Sequence, residues 1–224
     1  DFVKNILQKY GKYTQPKISF KFSNKKKYQM EHLFNIYTNI ETNKYDLFMF
    51  CDDDDTYHNE RIETFINAFI WGKNQYPESF GGVREHFKSD INPELETPEY
   101  WAYGISPNVM AEFFSLFNNI NYNLLQHNFG DMYLRHYLRK NKKYVYWVAL
   151  IEDKPRLYNY NINNPNSICG KIEQGLGNIY DKILLKVLAC RSDSELTTII
   201  NEFNDKEIEF TCKYIYKFCK LLYK

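Results

Sequence analysis

A short apolar run, Leu47-Phe48-Met49-Phe50-Cys51, ends abruptly in four consecutive carboxylates, Asp52-Asp53-Asp54-Asp55. The run is too short to span a membrane, and its phenylalanines suit a buried strand. Four carboxylates at one strand end repel one another strongly. A divalent cation or a polyol relieves that repulsion; a fully solvated acidic turn is the alternative. In open α/β sheets, ligands gather just outside the carboxyl ends of the strands. The run therefore predicts a hard-cation site at the place where such a sheet would hold its active centre.

The remaining composition narrows the class. A chain of 224 residues can bury one sizeable core, so one domain over residues 1–224 is expected. The net charge of +1 gives no basic field for nucleic acid, which also argues against a nuclease. With 20 Tyr and 17 Phe, the chain has rings suited both to cores and to sugar-binding clefts. Its five cysteines, Cys51, Cys169, Cys190, Cys212 and Cys219, are odd in number and scattered. This favours reduced, packed thiols over a disulfide framework or a zinc site. No Asn-x-Ser/Thr sequon, signal peptide or transmembrane segment is visible, and a cytoplasmic location is expected.

Along the chain, apolar residues at helical spacing predict a short helix over Phe2 to Tyr10, and alternation predicts a strand at Ile18 to Phe22. Met30, Leu33, Phe34, Tyr37 and Ile40 predict an amphipathic helix. Leu47 to Cys51 reads as an interior strand and Arg61 to Trp71 as the helix behind it. Phe80-Gly81-Gly82-Val83-Arg84 predicts a strand with close backbone approach. Lys88 to Pro98 reads as a loop, and Tyr100 to Gly104 as extended. Ser106 and Pro107 suit the N-cap and first turn of a helix reaching Phe117. Asp131 to Arg139 reads as a helix, Tyr144 to Ile151 as a strand and Leu157 to Ile168 as irregular. From Ile179 onward the chain reads as a helical extension, over 179–224, with a break near Ser192 to Ser194. This order predicts an α/β fold with a mostly parallel central sheet flanked by helices. Such a nucleotide-binding half opens with a strand before its first helix, so a strand upstream of Asp1 is expected.

Tyr45 to Asp55, followed by Asn59-Glu60-Arg61-Ile62, resembles the strand, D-x-D signature and following helix of nucleotide-sugar glycosyltransferases with the GT-A (Rossmann-like) fold, most similar to family 2. The resemblance implies Asp52 on the ribose side and Asp54 as the ligand of Mn²⁺ or Mg²⁺. A register one residue later would engage Asp53 and Asp55, and Asp53 is a further donor-side candidate. Asn128 to Arg135 resembles the family's E-D-x-x-L-x-x-R motif, with Gly130 in place of Glu. There Asp131 matches the general base of inverting members, and an acid at that helix start also suits the helix dipole. By resemblance, Trp101, Tyr103, Gly104 and Arg84 would line the donor side. Leu157 to Ile168 resembles the late segment that folds over the diphosphate, with Asn and Tyr where Arg or His often stand. The implied activity is inverting, metal-dependent transfer from a nucleotide sugar, a UDP-sugar above all, to a glycan, protein or small-molecule hydroxyl. Two alternatives remain: a sugar-1-phosphate nucleotidyltransferase, and a non-catalytic carbohydrate-binding or interaction domain on a similar fold. A transferase needs the acid run and Asp131 to share one cleft, whereas a binding domain needs neither.

Overall fold

The computed structural model describes residues 25, 27–52, 55–85, 99–117, 121–126, 130–149, 157–159, 179–190, 192–203 and 206–221. The helix expected over Phe2 to Tyr10, the strand at Ile18 to Phe22 and the loop at Lys88 to Pro98 lie outside them. The described strands are β1 (Phe48–Met49), β2 (Thr56–Tyr57), β3 (Phe80–Glu85), β4 (Tyr103–Ile105), β5 (Val145–Ala149) and β6 (Tyr158–Asn159). The helices are α1 (Gln29–Tyr37), α2 (Arg61–Gln75), α3 (Pro107–Ser115), α4 (Asp131–Lys140), α5 (Ile179–Ala189), α6 (Asp193–Phe203) and α7 (Lys206–Leu221).

The fold is mixed α/β. Its four-stranded sheet runs in the order β1-β4-β3-β5, and β2 pairs with β6 separately. Only β3 and β5 are parallel; β4 is antiparallel to both β1 and β3. The described sheet is thus not mostly parallel as the element order predicts. The difference lies in β4, which follows a 3₁₀ turn at Tyr100–Ala102 and lies between β1 and β3, antiparallel to both. Nor is β1 interior among the described residues, because β4 is its one described neighbour. It spans two residues because the next backbone groups bond to side chains. The carbonyl of Phe50 accepts from the Tyr57 hydroxyl at 2.7 Å, and the N–H of Asp52 donates to the Tyr158 hydroxyl at 3.0 Å.

Strand pleating sends alternate residues to opposite faces. Phe48, Tyr103, Ile105 and Tyr146 join one apolar cluster, and Leu47, Met49, Val83 and Trp147 the other. Phe65 and Ala68 of α2 belong to the second cluster. The first is larger and takes in α1, α3, α4 and the C-terminal helices. Phe218 of α7 meets Phe117 and Tyr133 with ring centroids 5.1 and 5.4 Å apart. The expected break near Ser192 to Ser194 falls where α5 gives way to α6. Ser106 occupies the N-cap of α3 with extended backbone, but its side chain makes no capping bond, and its buried Oγ has no partner among the described residues.

Gly82 explains how β4 comes so near β3. Its φ is 140°, a region that residues with a Cβ avoid. A Cβ there would also lie 2.0 Å from the Gly104 carbonyl oxygen. Gly82→Ala is therefore expected to destabilise the protein by roughly 2–4 kcal/mol, through strain and displacement of β4. Urea denaturation monitored by circular dichroism checks this.

Candidate functional site

The acidic run begins where β1 ends. The Asp55 N–H donates to the Asp52 carbonyl at 3.2 Å, closing a tight turn. Asp52 is half-exposed, and its Oδ1 accepts from the Tyr100 hydroxyl at 2.6 Å and from Gln29 Nε2 at 2.7 Å. Gln29 Nε2 also donates to the Tyr100 hydroxyl at 2.7 Å. Asp55 is buried, and its Oδ2 accepts from the Tyr158 hydroxyl at 2.8 Å. Burial and then the Asp52 charge hold the Tyr100 phenol far above its ordinary range, so it stays a donor to that carboxylate.

Behind the turn lies a buried ion pair. Arg61 opens α2 with no exposed surface, and Nη1 bonds Glu85 Oε2 at the end of β3. Its Nη2 donates to the Trp101 carbonyl at 2.7 Å. The guanidinium also lies over the rings of Phe65, Tyr57 and Tyr158, at 4.4, 4.7 and 5.1 Å from their centroids. Glu85 Oε1 accepts the backbone N–H groups of Leu157 and Tyr158. Tyr158 stacks on Trp101 with centroids 4.2 Å apart and planes 17° from parallel. Glu85, Tyr100 and Gln29 escape a reading of the sequence. They lie far from the acids along the chain, and no motif marks one tyrosine among 20.

Asp131 is the first residue of α4 and its only first-turn acid. Its Oδ1 is buried and has no hydrogen-bond partner among the described residues. Burial pushes its pKa from 3.8 up to about 7. The charges of Glu99 and Asp52 add to the rise, while the N–H groups of Met132 and Asp131 oppose it. Asp131 in turn adds to the rise of the Tyr100 phenol. Asp131, Tyr100, Asp52 and Glu99 therefore share one electrostatic neighbourhood. Glu99 is held at 2.9 Å by Arg135, one helical turn after Asp131. Burial nonetheless raises its pKa, against the pull of Arg135 and Arg139.

The expected donor-side residues Arg84, Trp101, Tyr103 and Gly104 lie on β3, β4 and the 3₁₀ turn before β4. Trp101 and Tyr103 are 6% and 4% exposed and belong to the larger apolar cluster. Tyr103 meets Tyr146 edge-on, and burial pushes its pKa up to about 12. Gly104 is a strand residue; a Cβ there would come 2.7 Å from the Leu47 side chain. Arg84 is half-buried on β3 opposite Tyr103. Asp53 and Asp54, the second the expected metal ligand, lie outside the described residues. Mg²⁺ and Mn²⁺ take hard carboxylate oxygens and often need only one or two protein ligands, and the described part of the turn offers the carboxylates of Asp52 and Asp55. Among the described residues, no three His, Cys, Asp or Glu side chains converge on a cation position. The four described cysteines are free thiols, and no described helix is long and apolar enough to cross a membrane.

No family model matches the chain, and no curated protein or solved structure matches it either.

Two predictions follow from this geometry. Removing one member of a buried ion pair leaves the other uncompensated, so Glu85→Ala is expected to cost roughly 3–5 kcal/mol in chemical denaturation. The Asp131 shift also makes stability depend on pH. Between about pH 4 and 7 the folded state keeps a proton that the unfolded chain has released. Stability contributed by the protonated form is complete below 3.8 and is lost as pH rises through about 7. Asp131→Asn removes that loss. Its melting temperature should rise relative to wild type across this window and hold a constant lead above it, as read by scanning calorimetry in a pH series.

Proposed function

We propose that the protein is a metal-dependent glycosyltransferase. It moves a sugar, with inversion, from a nucleotide-diphosphate sugar to a hydroxyl acceptor, and a UDP-sugar is the first donor to test. One observation carries the reading. A buried carboxylate oxygen on Asp131, without a partner among the described residues, lies within electrostatic reach of an acidic turn at a strand's carboxyl end. A general base works best with a pKa near the working pH, and Asp131 sits at about 7.

In this reading Asp131 accepts the proton of the acceptor hydroxyl as that oxygen attacks the anomeric carbon. The bond from that carbon to the diphosphate oxygen breaks, and the nucleoside diphosphate leaves with the electron pair. Asp52 holds the ribose side of the donor, oriented by Tyr100 and Gln29, while Asp54 supplies the metal ligand. A bound Mg²⁺ or Mn²⁺ would supply compensation for charge on the departing diphosphate. The buried frame of Arg61 and Glu85 keeps the turn and α2 in register. A preorganised site of this kind does not reorganise during the reaction.

Screening nucleotide sugars by thermal shift, with and without Mn²⁺, identifies the donor, since a ligand bound at a hundredfold excess over Kd stabilises by about 2.7 kcal/mol. With the donor in hand, Asp131→Asn should lower kcat by roughly a hundredfold or more, because it removes the proton acceptor. Donor affinity should be unchanged by calorimetry. The wild-type kcat should rise with pH up to about 7 and then level off, as the base loses its proton. Retained anomeric configuration in the product by NMR, or near-wild-type turnover in Asp131→Asn, would contradict the assignment.

A further inference from the structure

We propose that the exposed face of α7 docks on an anionic lipid surface through Lys206, Lys213, Lys217 and Lys220. This helix, Lys206–Leu221, has two contrasting sides. Ile208, Cys212, Ile215, Tyr216, Phe218 and Cys219 are buried. Among its residues with described side chains, five are exposed: the four lysines and Leu221. The lysines recur at intervals of seven, four and three residues, so they share one side of the helix. At a rise of about 1.5 Å per residue they form a line roughly 21 Å long.

The charge of the line is complementary to an anionic surface. Lys206 and Lys217 have no ion pair among the described residues. Lys213 meets Glu209 at 2.5 Å and Lys220 meets Asp193 at 2.6 Å, but both pairs are exposed. Exposed pairs contribute little, so an anionic surface can compete for these two lysines as well. The chain's net charge is +1, and the attraction is therefore local to this face. Lysine suits a diffuse sheet of headgroup charge, because its ammonium is a point charge on a flexible stem and needs no fixed partner geometry. Leu221, 45% exposed at the end of the line, adds an apolar contact that suits a bilayer boundary better than a phosphodiester backbone. No arginine or aromatic ring, the groups on which nucleic-acid bases stack, is exposed among the described side chains of α7. The apolar side of the helix stays in the core, so the contact is peripheral and electrostatic, and salt screens it.

The test is co-sedimentation of the full chain with vesicles of equal parts phosphatidylcholine and phosphatidylserine, against phosphatidylcholine alone, in a salt series. The wild type should sediment with the anionic vesicles only and be released as salt rises. Each lysine near such a surface contributes about fivefold in affinity, so Lys206→Gln/Lys217→Gln should weaken binding roughly 25-fold. Both positions are exposed, and the melting temperature of this variant should match that of wild type. Lys44→Gln/Lys142→Gln removes the same charge from exposed positions elsewhere and should leave vesicle affinity unchanged. Equal binding to both vesicle types, or binding to neither, would overturn the proposal. So would equal weakening in the two double variants, which would reduce the effect to net charge. Binding of duplex DNA in the same buffer, lost in Lys206→Gln/Lys217→Gln while anionic vesicles are not bound, would assign the face to nucleic acid and overturn the lipid assignment.

Discussion

The buried pair of Arg61 and Glu85 is the constraint around which the described α/β part is arranged. It joins the first residue of α2 to the last residue of β3, and both side chains are almost fully withdrawn from solvent. Burying two charges removes their hydration, and their mutual attraction alone rarely makes that favourable. The site compensates with further partners. The guanidinium reaches the Trp101 carbonyl and lies over aromatic rings, while the carboxylate takes two backbone N–H groups of the Leu157–Tyr158 segment. Four chain segments therefore meet at one pair. A hydrophobic replacement could match its volume but not these backbone partners. The pair's contribution is to specificity: it selects one arrangement of α2, β3, the 3₁₀ turn and β6.

Tyrosine carries that arrangement forward to the acidic turn. Where β1 stops, Phe50 and Asp52 find partners in the hydroxyls of Tyr57 and Tyr158 in place of a strand. Tyr100 supplies the same service to the Asp52 carboxylate. Each of these rings is packed into apolar surroundings while its hydroxyl reaches a polar group, the dual character that suits tyrosine to such boundaries. A phenylalanine would fill the same volumes and leave the turn's backbone N–H and carboxylates unsatisfied. Unsatisfied buried groups cost about 1–3 kcal/mol each, more than a typical hydrogen bond contributes when made.

Much of the fold was legible in the sequence because it depends on local signals. Helical spacing located α1 and α2, Pro107 marked the start of α3, and the polar Ser192–Ser194 stretch marked the step between α5 and α6. The double glycine at Gly81 and Gly82 announced a close backbone approach, and Gly82 makes it against Gly104. Strand direction was not legible. Whether β4 runs with or against β3 is settled by pairing between residues about 20 apart in the chain, which carries no local periodic signal. Site residues divided in the same way. Asp52 and Asp131 stand out by type and position, at a strand end and a helix start. Glu85 looks like any acid ending a strand, and its role exists only through Arg61, 24 residues earlier. The resemblance places Trp101 and Tyr103 on the donor side; both are buried, Trp101 in the 3₁₀ turn and Tyr103 at the start of β4, a burial that no local signal announces.

The pKa of Asp131 separates two readings of an acid at a helix start. A carboxylate that only caps a helix is favoured in its charged form, since the dipole and the free N–H groups stabilise the anion by about 0.3–1 kcal/mol. Its pKa should fall. That of Asp131 rises from 3.8 to about 7 although the N–H groups of Met132 and Asp131 pull it down. At roughly 1.4 kcal/mol per unit, the rise outweighs the capping contribution severalfold. Burial, Glu99 and Asp52 therefore dominate the local electrostatics, and they make the charged acid a net destabilising feature at neutral pH. A structural cap gains nothing from such a position, and an exposed asparagine or serine would cap as well. A proton acceptor, the role proposed for it, would gain, because a carboxylate with a buried oxygen unpartnered among the described residues and a pKa near neutrality binds a proton more readily than a solvated one. The loss of stability on ionisation and the readiness to hold a proton thus have the same origin, the placement of this oxygen out of water and within reach of the Glu99 and Asp52 charges.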